Sequence, residues 1–260
     1  MSDLGASSYL LIHGGATTGR YWDRLVPLLD GPALAVDLPG RGAHPADLME
    51  VTVDDGVRSI VADLDAADLT DGGRRALVVV AHSSGGLFVP GVLAAVQDRL
   101  RVQRVVLAAA SVPPEGGCGL DCMKASHRDR FVSYFQDAKR RGRSVATPGP
   151  PDDPEALRDA YGGSLDDDAL AFMADPVRNV ADSFNVYFQP VRWSTVHPVP
   201  ITYVRGALDR PVPAALQDEM IQRLPGAVEV VRLEVGHIPA VTDPATFAAI
   251  VTDTRRANSL

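Results

Sequence analysis

A chain of 260 residues, 46% hydrophobic and 22% charged, is long enough for one large globular domain with a sizeable core. Its formal net charge of -8 argues against nucleic-acid or anionic-membrane partners, both of which recruit basic patches. No apolar run approaches the roughly 20 residues that span a bilayer. The start, Met1-Ser2-Asp3-Leu4-Gly5, lacks the basic and long apolar segments of a secretory leader, so a cytoplasmic protein is expected.

In chain order, Tyr9-Leu10-Leu11-Ile12 reads as a short buried strand running into His13-Gly14-Gly15-Ala16. The two glycines let backbone approach a bound group, which makes this loop a source of N–H donors. Trp22, Leu25, Val26 and Leu29 recur at helical spacing and predict a helix. Ala33-Leu34-Ala35-Val36 is a second strand, ending in the turn-rich Asp37-Leu38-Pro39-Gly40-Arg41-Gly42. Thr52-Val53-Asp54-Asp55 resembles a capping box, and Val57, Ile60, Val61 and Leu64 give the helix that follows it an inner face.

The run Ala76-Leu77-Val78-Val79-Val80 is a strand. Leu87 to Val96 reads as a helix with Pro90 in its first two turns. Between them lies Ala81-His82-Ser83-Ser84-Gly85-Gly86, a very tight strand-to-helix turn. Such a turn needs small residues two before and two after the residue it presents. Ala81 and Gly85 meet that need for Ser83, whereas His82 is too large to serve Ser84 in the same way. Val105 to Ala109 adds a further strand. Alternating strands and helices predict βαβ units and a parallel sheet covered on both faces.

At Val112-Pro113-Pro114-Glu115-Gly116-Gly117 the alternation stops. From there to Pro200 the sequence offers helical patches rich in large apolar groups, with Thr147-Pro148-Gly149-Pro150-Pro151 as a loop between them. The expected organisation is a core of residues 1–112 and 200–260 with a helical cap over 113–199. Cys118 and Cys122 have no histidine pair nearby and read as two small side chains of a loop or pocket, not as a metal site or a disulfide. Neither a metal nor a cofactor is expected.

The sheet resumes with Ile201 to Val204 and the loop Arg205-Gly206-Ala207-Leu208-Asp209-Arg210-Pro211. Leu216, Met220 and Leu224 mark a helix. Val228 to Leu233 is the last strand, leading to Glu234-Val235-Gly236-His237-Ile238-Pro239. Asp243-Pro244 caps and opens the closing helix.

Three of these post-strand loops carry Ser83, Asp209 and His237, in that chain order. In a parallel sheet such loops lie along one edge, where ligands bind. A serine hydroxyl is a weak nucleophile until a base takes its proton. Histidine can do so and can return the proton to a leaving group, and a carboxylate behind it fixes its tautomer. Among the other histidines, His13 reads as a brace of the glycine loop and His197 as a residue that could enter the pocket. Asp209 competes with Asp218 and Glu219, which fall on a helix, with Asp243, which serves as a cap, and with Glu234; Asp209 is preferred because it sits in a Gly/Pro-bounded loop straight after a strand.

The chain resembles the α/β-hydrolase fold superfamily over nearly its whole length. The resemblance rests on His13-Gly14-Gly15, Asp37-Leu38-Pro39-Gly40-Arg41-Gly42, His82-Ser83-Ser84-Gly85-Gly86, Gly206 with Asp209, and Gly236-His237. The short N-terminus and Ala109-Ala110-Ser111-Val112-Pro113-Pro114-Glu115-Gly116 are similar to the branch of plant methyl esterases and hydroxynitrile lyases and its bacterial esterase relatives.

The resemblance implies a mainly parallel sheet of about six strands flanked by helices, with an inserted helical cap. It implies a serine hydrolase acting on a carboxylic ester, lactone or thioester through an acyl-enzyme. Ser83, His237 and Asp209 form the triad, and the backbone N–H groups of Gly15 and Ser84 form the oxyanion hole. The lyases of the branch carry threonine at the position of Gly14 and lysine at that of Ile238, so this chain departs from them. Ala81 stands where most members have glycine. A binding or lyase-like protein on the same fold is the alternative.

The substrate is expected to be a small, mainly apolar molecule, met by a pocket drawn from His82, Phe135, Met173, Tyr187, Trp193 and Ile238. A homodimer is an assembly the sequence leaves open.

Overall fold

The computed structural model describes residues 7–142, 154–162 and 165–253. The Met1–Gly5 start and the loop at 147–151 lie outside them. The described chain forms a six-stranded, all-parallel sheet from β1 (Ser8–Ile12), β2 (Ala33–Val36), β3 (Leu77–His82), β4 (Val102–Ala108), β5 (Ile201–Gly206) and β6 (Val228–Leu233). Its order is β2-β1-β3-β4-β5-β6. The chain runs outward from β1 to β2 and then crosses back to β3, so the winding reverses between β1 and β3. In such sheets the crevice beyond the carboxyl ends of those two strands takes the ligand.

Each strand sorts its side chains by the two-residue period. Leu10, Ile12, Leu77, Val79, Val105 and Leu107 enter the core on one face. Tyr9, Leu11, Val78, Val80, Val106 and Ala108 enter the core on the other. Both faces are covered, which is why β1 and β3 read as uninterrupted apolar runs.

The helices are α1 (Val53–Ala66), α2 (Val89–Val96), α3 (Ala125–Arg140), α4 (Pro154–Tyr161), α5 (Asp167–Ala174), α6 (Ala214–Gln222), α7 (Pro239–Thr242) and α8 (Pro244–Thr252). The Thr52–Asp55 capping box opens α1 in both directions: Thr52 Oγ1 accepts from Asp55 N at 3.0 Å, and Asp55 Oδ2 accepts from Thr52 N at 2.9 Å. The helix predicted around Trp22–Leu29 is instead two 3-10 turns, Gly19–Arg24 and Val26–Leu28. Pro27 lacks the N–H that a continuous helix needs there. The expected helix from Leu87 likewise begins as a 3-10 turn at Ser83–Leu87, and Pro90 sits at the start of α2.

Between β4 and β5 the described chain is helical or irregular, with α3 to α5 and two short 3-10 turns. This excursion is not laid loosely on the core. Leu157, Leu165 and Met173 join the apolar cluster on one sheet face, and Val186, Tyr187, Val191 and Trp193 join the other. No helix among the described residues is long and apolar enough to cross a membrane.

Candidate active site

The loop after β1 and the turn after β3 press against each other at the winding reversal. A Cβ on Gly85 would lie 2.6 Å from the His13 carbonyl oxygen, and one on Gly86 would lie 2.5 Å from that of Ser111. Only glycine fits at either place. Ser83 itself has φ +50°, a left-handed conformation that an L side chain seldom adopts. The turn is therefore strained, and the strain presents the hydroxyl at the head of the sheet.

The loop after β6 brings His237 to this hydroxyl. His237 Nε2 lies 3.0 Å from Ser83 Oγ, and Nδ1 lies 2.7 Å from Asp209 Oδ2. Asp209 Oδ1 accepts from Val212 N at 2.8 Å, so the carboxylate is held from both sides. The His237 and Asp209 side chains are 7% and 0% exposed. Water thus competes little for the bond that fixes the imidazole. The backbone of His237 is anchored as well: its N–H donates to Tyr161 O at 2.8 Å, and its carbonyl accepts from His82 Nε2 at 2.8 Å.

His82 serves the site from behind. Its ring stacks on Tyr21 at 4.6 Å between centroids. With Nε2 donating, Nδ1 is a bare acceptor, and it has no hydrogen-bond partner. Burial pushes its pKa well below the ordinary histidine value, with His237 adding to the shift.

His13 braces the glycine loop. Leu38 N donates to its Nε2 at 3.3 Å while its Nδ1 bonds Gly14 O at 2.7 Å, and a single neutral tautomer satisfies both. Burial and then Arg41 lower its pKa to about 3. His197 is turned away at 65% side-chain exposure, 3.9 Å from Asp98. Asp218 is taken by Arg205 at 2.7 Å, and Asp243 caps α8.

The Alpha/beta hydrolase family profile matches residues 9–250. The chain belongs to the alpha/beta hydrolase family. A curated relative, the pyrethroid hydrolase of Sphingobium wenxiniae, is 25% identical over 262 residues, covering 94% of this chain and 86% of that protein. The solved structure of a pyrethroid hydrolase from Sphingobium faniae superposes with a TM-score of 0.73 at 20% identity, with 98% of each chain covered. The methylesterase MES16 from Arabidopsis superposes at 0.71 with 20% identity, covering 98% of this chain and 100% of that one. The two structural likenesses speak for the fold.

In this alpha/beta hydrolase a cavity of about 450 Å³ opens over Ser83 and His237, a size suited to a small organic ligand. Its apolar wall includes Met123, Phe131, Tyr134, Phe184, Tyr187 and Val212. Of the six pocket residues expected from sequence, Tyr187 lines it, and the other five are corrected. His82 lies behind the turn. Phe135 packs on Phe184 and Phe188, at 5.6 and 4.7 Å between ring centroids, one layer back. Met173 and Ile238 are buried in the core on one sheet face, and Trp193 in the core on the other. Cys122 lines the cavity, and both cysteines are free.

Sequence reasoning missed one buried polar network. Asp182, between α5 and β5, pairs with Arg41 from the loop after β2. It also accepts from Tyr187 Oη at 2.8 Å and from its neighbour Ser183 N at 2.8 Å. A Cβ on Gly15 would meet Asp182 Oδ2 and the Tyr187 hydroxyl, and would lie 3.2 Å from Ser84 Oγ. The network therefore sits directly against the glycine loop. Burial and Asp182 push the Tyr187 phenol well above its ordinary pKa, keeping it a donor. Among the described residues no group of three or more His, Cys, Asp or Glu is placed to hold a metal ion.

Proposed function

We propose that the protein is a serine hydrolase of carboxylic esters of small, mainly apolar molecules. The observation that carries this reading is the continuous line of hydrogen-bond distances from Asp209 through His237 to Ser83, 2.7 and 3.0 Å. Membership of a hydrolase family and the likeness to a pyrethroid hydrolase support it.

In this mechanism Ser83 Oγ attacks the ester carbonyl as its proton passes to His237 Nε2. Asp209 holds Nδ1–H and stabilises the imidazolium. The backbone N–H groups of Gly15 and Ser84 receive the oxyanion. His237 then protonates the departing alcohol oxygen, leaving an acyl-Ser83. A water attacks that acyl group with His237 again as base, and collapse returns the proton to Ser83 and frees the acid.

Two features favour this reading over the lyase-like alternative. A side chain at Gly14 has no room, since its Cβ would lie 2.8 Å from Ser83 Cβ and 2.9 Å from His82 Nδ1. The residue after His237 is Ile238, 1% exposed and without charge, so it offers no cation to a leaving cyanide.

The test combines turnover of short p-nitrophenyl esters with fluorophosphonate labelling. Wild type should hydrolyse the esters and carry the adduct on Ser83, and Ser83→Ala should do neither. Native turnover in Ser83→Ala would overturn the assignment. A wild type without turnover or adduct would favour a binding role.

A further inference from the structure

Apart from the serines at its floor, His237 and the Tyr187 hydroxyl, the polar side chains of the cavity over Ser83 stand on one helix face. In α3, His127, Arg130, Phe131 and Tyr134 follow each other at i, i+3, i+4 and i+7, and all four line the cavity. Two of them are polar. Arg130 carries a permanent positive charge, and no acidic group pairs with it among the described residues. The nearby charges are otherwise engaged: Lys124 Nζ donates to Arg210 O at 2.7 Å, and Asp129 lies 3.6 Å from Arg128. Among the described residues of the wall there is no aspartate or glutamate.

This arrangement runs against the rest of the molecule. The chain has a net charge of -8, and most of its arginines with described partners face carboxylates. An exposed guanidinium at the rim of a mainly apolar cavity, with no acidic partner among the described residues, is a place where a ligand can supply an anion. The fork of a guanidinium matches a carboxylate in geometry as well as charge. The acidic surface repels an anion at long range, but that field is screened within about 8 Å at physiological salt. At the cavity rim, within that distance, the exposed guanidinium of Arg130 is the local charge. His127, one turn earlier, has its pKa lowered by burial and then by Lys124 and Arg130. The shift favours its neutral form, which offers an N–H instead of a second charge.

We propose that the substrate is an ester whose apolar body ends in a free carboxylate, seated against Arg130 and His127 of α3 while its ester carbonyl lies over Ser83. This rests on the reading of Ser83 as nucleophile. It adds a class distinction: half-esters of dicarboxylic acids, or esters of hydroxy acids, in preference to neutral esters of the same size.

The test uses two graded series. In the first, p-nitrophenyl esters of straight acyl chains of increasing length end in a carboxylate or in the isosteric carboxamide. In the second, butyrate esters of hydroxyphenyl-alkanoic acids are paired with their carboxamides. The ratio of kcat/KM for carboxylate over carboxamide is read within each protein, so a variant's overall loss of activity cancels. Wild type should favour the carboxylate roughly five- to tenfold at one length in at least one series, as a partly exposed charge-assisted pair allows. The ratio should shrink in high salt.

Arg130→Gln should bring the ratio to about one, and Arg130→Lys should keep part of it. Arg130→Glu should invert it, and should gain a preference for an ω-ammonium ester. A wild-type ratio near one in both series, or a ratio unchanged in Arg130→Gln and Arg130→Glu, overturns the proposal while leaving ester hydrolysis standing. If no ester of any kind is turned over, the hydrolase reading itself fails and this inference falls with it.

Discussion

Asp182 and Arg41 form an ion pair, 141 residues apart in sequence, in which the guanidinium-bearing side chain is 2% exposed and the carboxylate-bearing one 7%. The pair joins the excursion between β4 and β5 to the loop after β2, and it does so beside Gly15. A lone carboxylate here would stand against the N–H groups proposed to hold the oxyanion and would oppose negative charge developing there. Arg41 cancels that charge. Arg41→Met should therefore remove stability, by about 3–5 kcal/mol as for other broken buried pairs, and should lower kcat more than it raises KM. Adding Asp182→Asn should recover part of both losses. Denaturant melts and steady-state kinetics of the two single variants and the double variant check this. A double variant that is worse than either single would remove the charge-cancelling role.

Asp209→Asn tests the other carboxylate. The amide is nearly isosteric, so the fold should persist. Its nitrogen presents N–H where His237 Nδ1–H now donates at 2.7 Å. His237 is then driven to the tautomer with a proton on Nε2, which cannot accept from Ser83. A fall in kcat on the order of 10³–10⁴-fold is expected, with a far smaller change in melting temperature. Ester turnover and a thermal melt on the same sample decide it. A fall of less than tenfold would show that another group holds His237.

The sheet and the three post-strand loops were legible because their signals are local. Ser83 stands between a β-branched run and an apolar helix, with small residues where the turn is tight. Asp209 and His237 each follow a strand directly. The pocket was legible only in part. Met173, Trp193 and Ile238 are large apolar side chains, and periodicity cannot say whether such a side chain meets the core or a cavity. Arg130 is not legible in a hydrophobic pattern, where a charged side chain leaves no trace, although it shares its helix face with Phe131 and Tyr134. Asp182 was illegible for a different reason: its partner is remote in sequence, and neither residue alone marks a contact. The Trp22–Leu29 segment shows the converse, where one Pro27 outweighs a helical spacing of four apolar residues.

Gly14→Ala tests the close approach of the two loops. The added methyl would lie 2.8 Å from Ser83 Cβ and 2.9 Å from His82 Nδ1, both held by backbone on strained or buried segments. The glycine loop must then move away from the serine turn. Ester hydrolysis should drop at least tenfold in kcat, since a shift of a fraction of an ångström misplaces the N–H donors. Gly14→Thr should be at least as damaged and should release no cyanide from mandelonitrile. Kinetics on a p-nitrophenyl ester and a cyanide assay check both. Native kcat in Gly14→Ala would mean that the loop position does not matter to the reaction.

The two buried histidines that are not in the triad set an acid limit on stability. His13 accepts from Leu38 N through Nε2, so protonating it places two donors face to face. His82 donates through Nε2 to His237 O, and a proton on Nδ1 would find no acceptor among the described residues. Both folded-state pKa values are depressed, that of His13 to about 3. The unfolded chain, with histidines near 6.5, therefore binds protons that the folded chain refuses. Stability from these groups is complete above about pH 6.5 and is lost as pH falls toward 3. The slope is up to about 1.4 kcal/mol per pH unit for each histidine. Urea melts between pH 4.5 and 7, above the range where most carboxylates protonate, should show that slope. His13→Gln, which cannot take up the proton, should lower stability at pH 7 yet flatten the slope by about half. An equal slope in wild type and variant would place the acid sensitivity elsewhere.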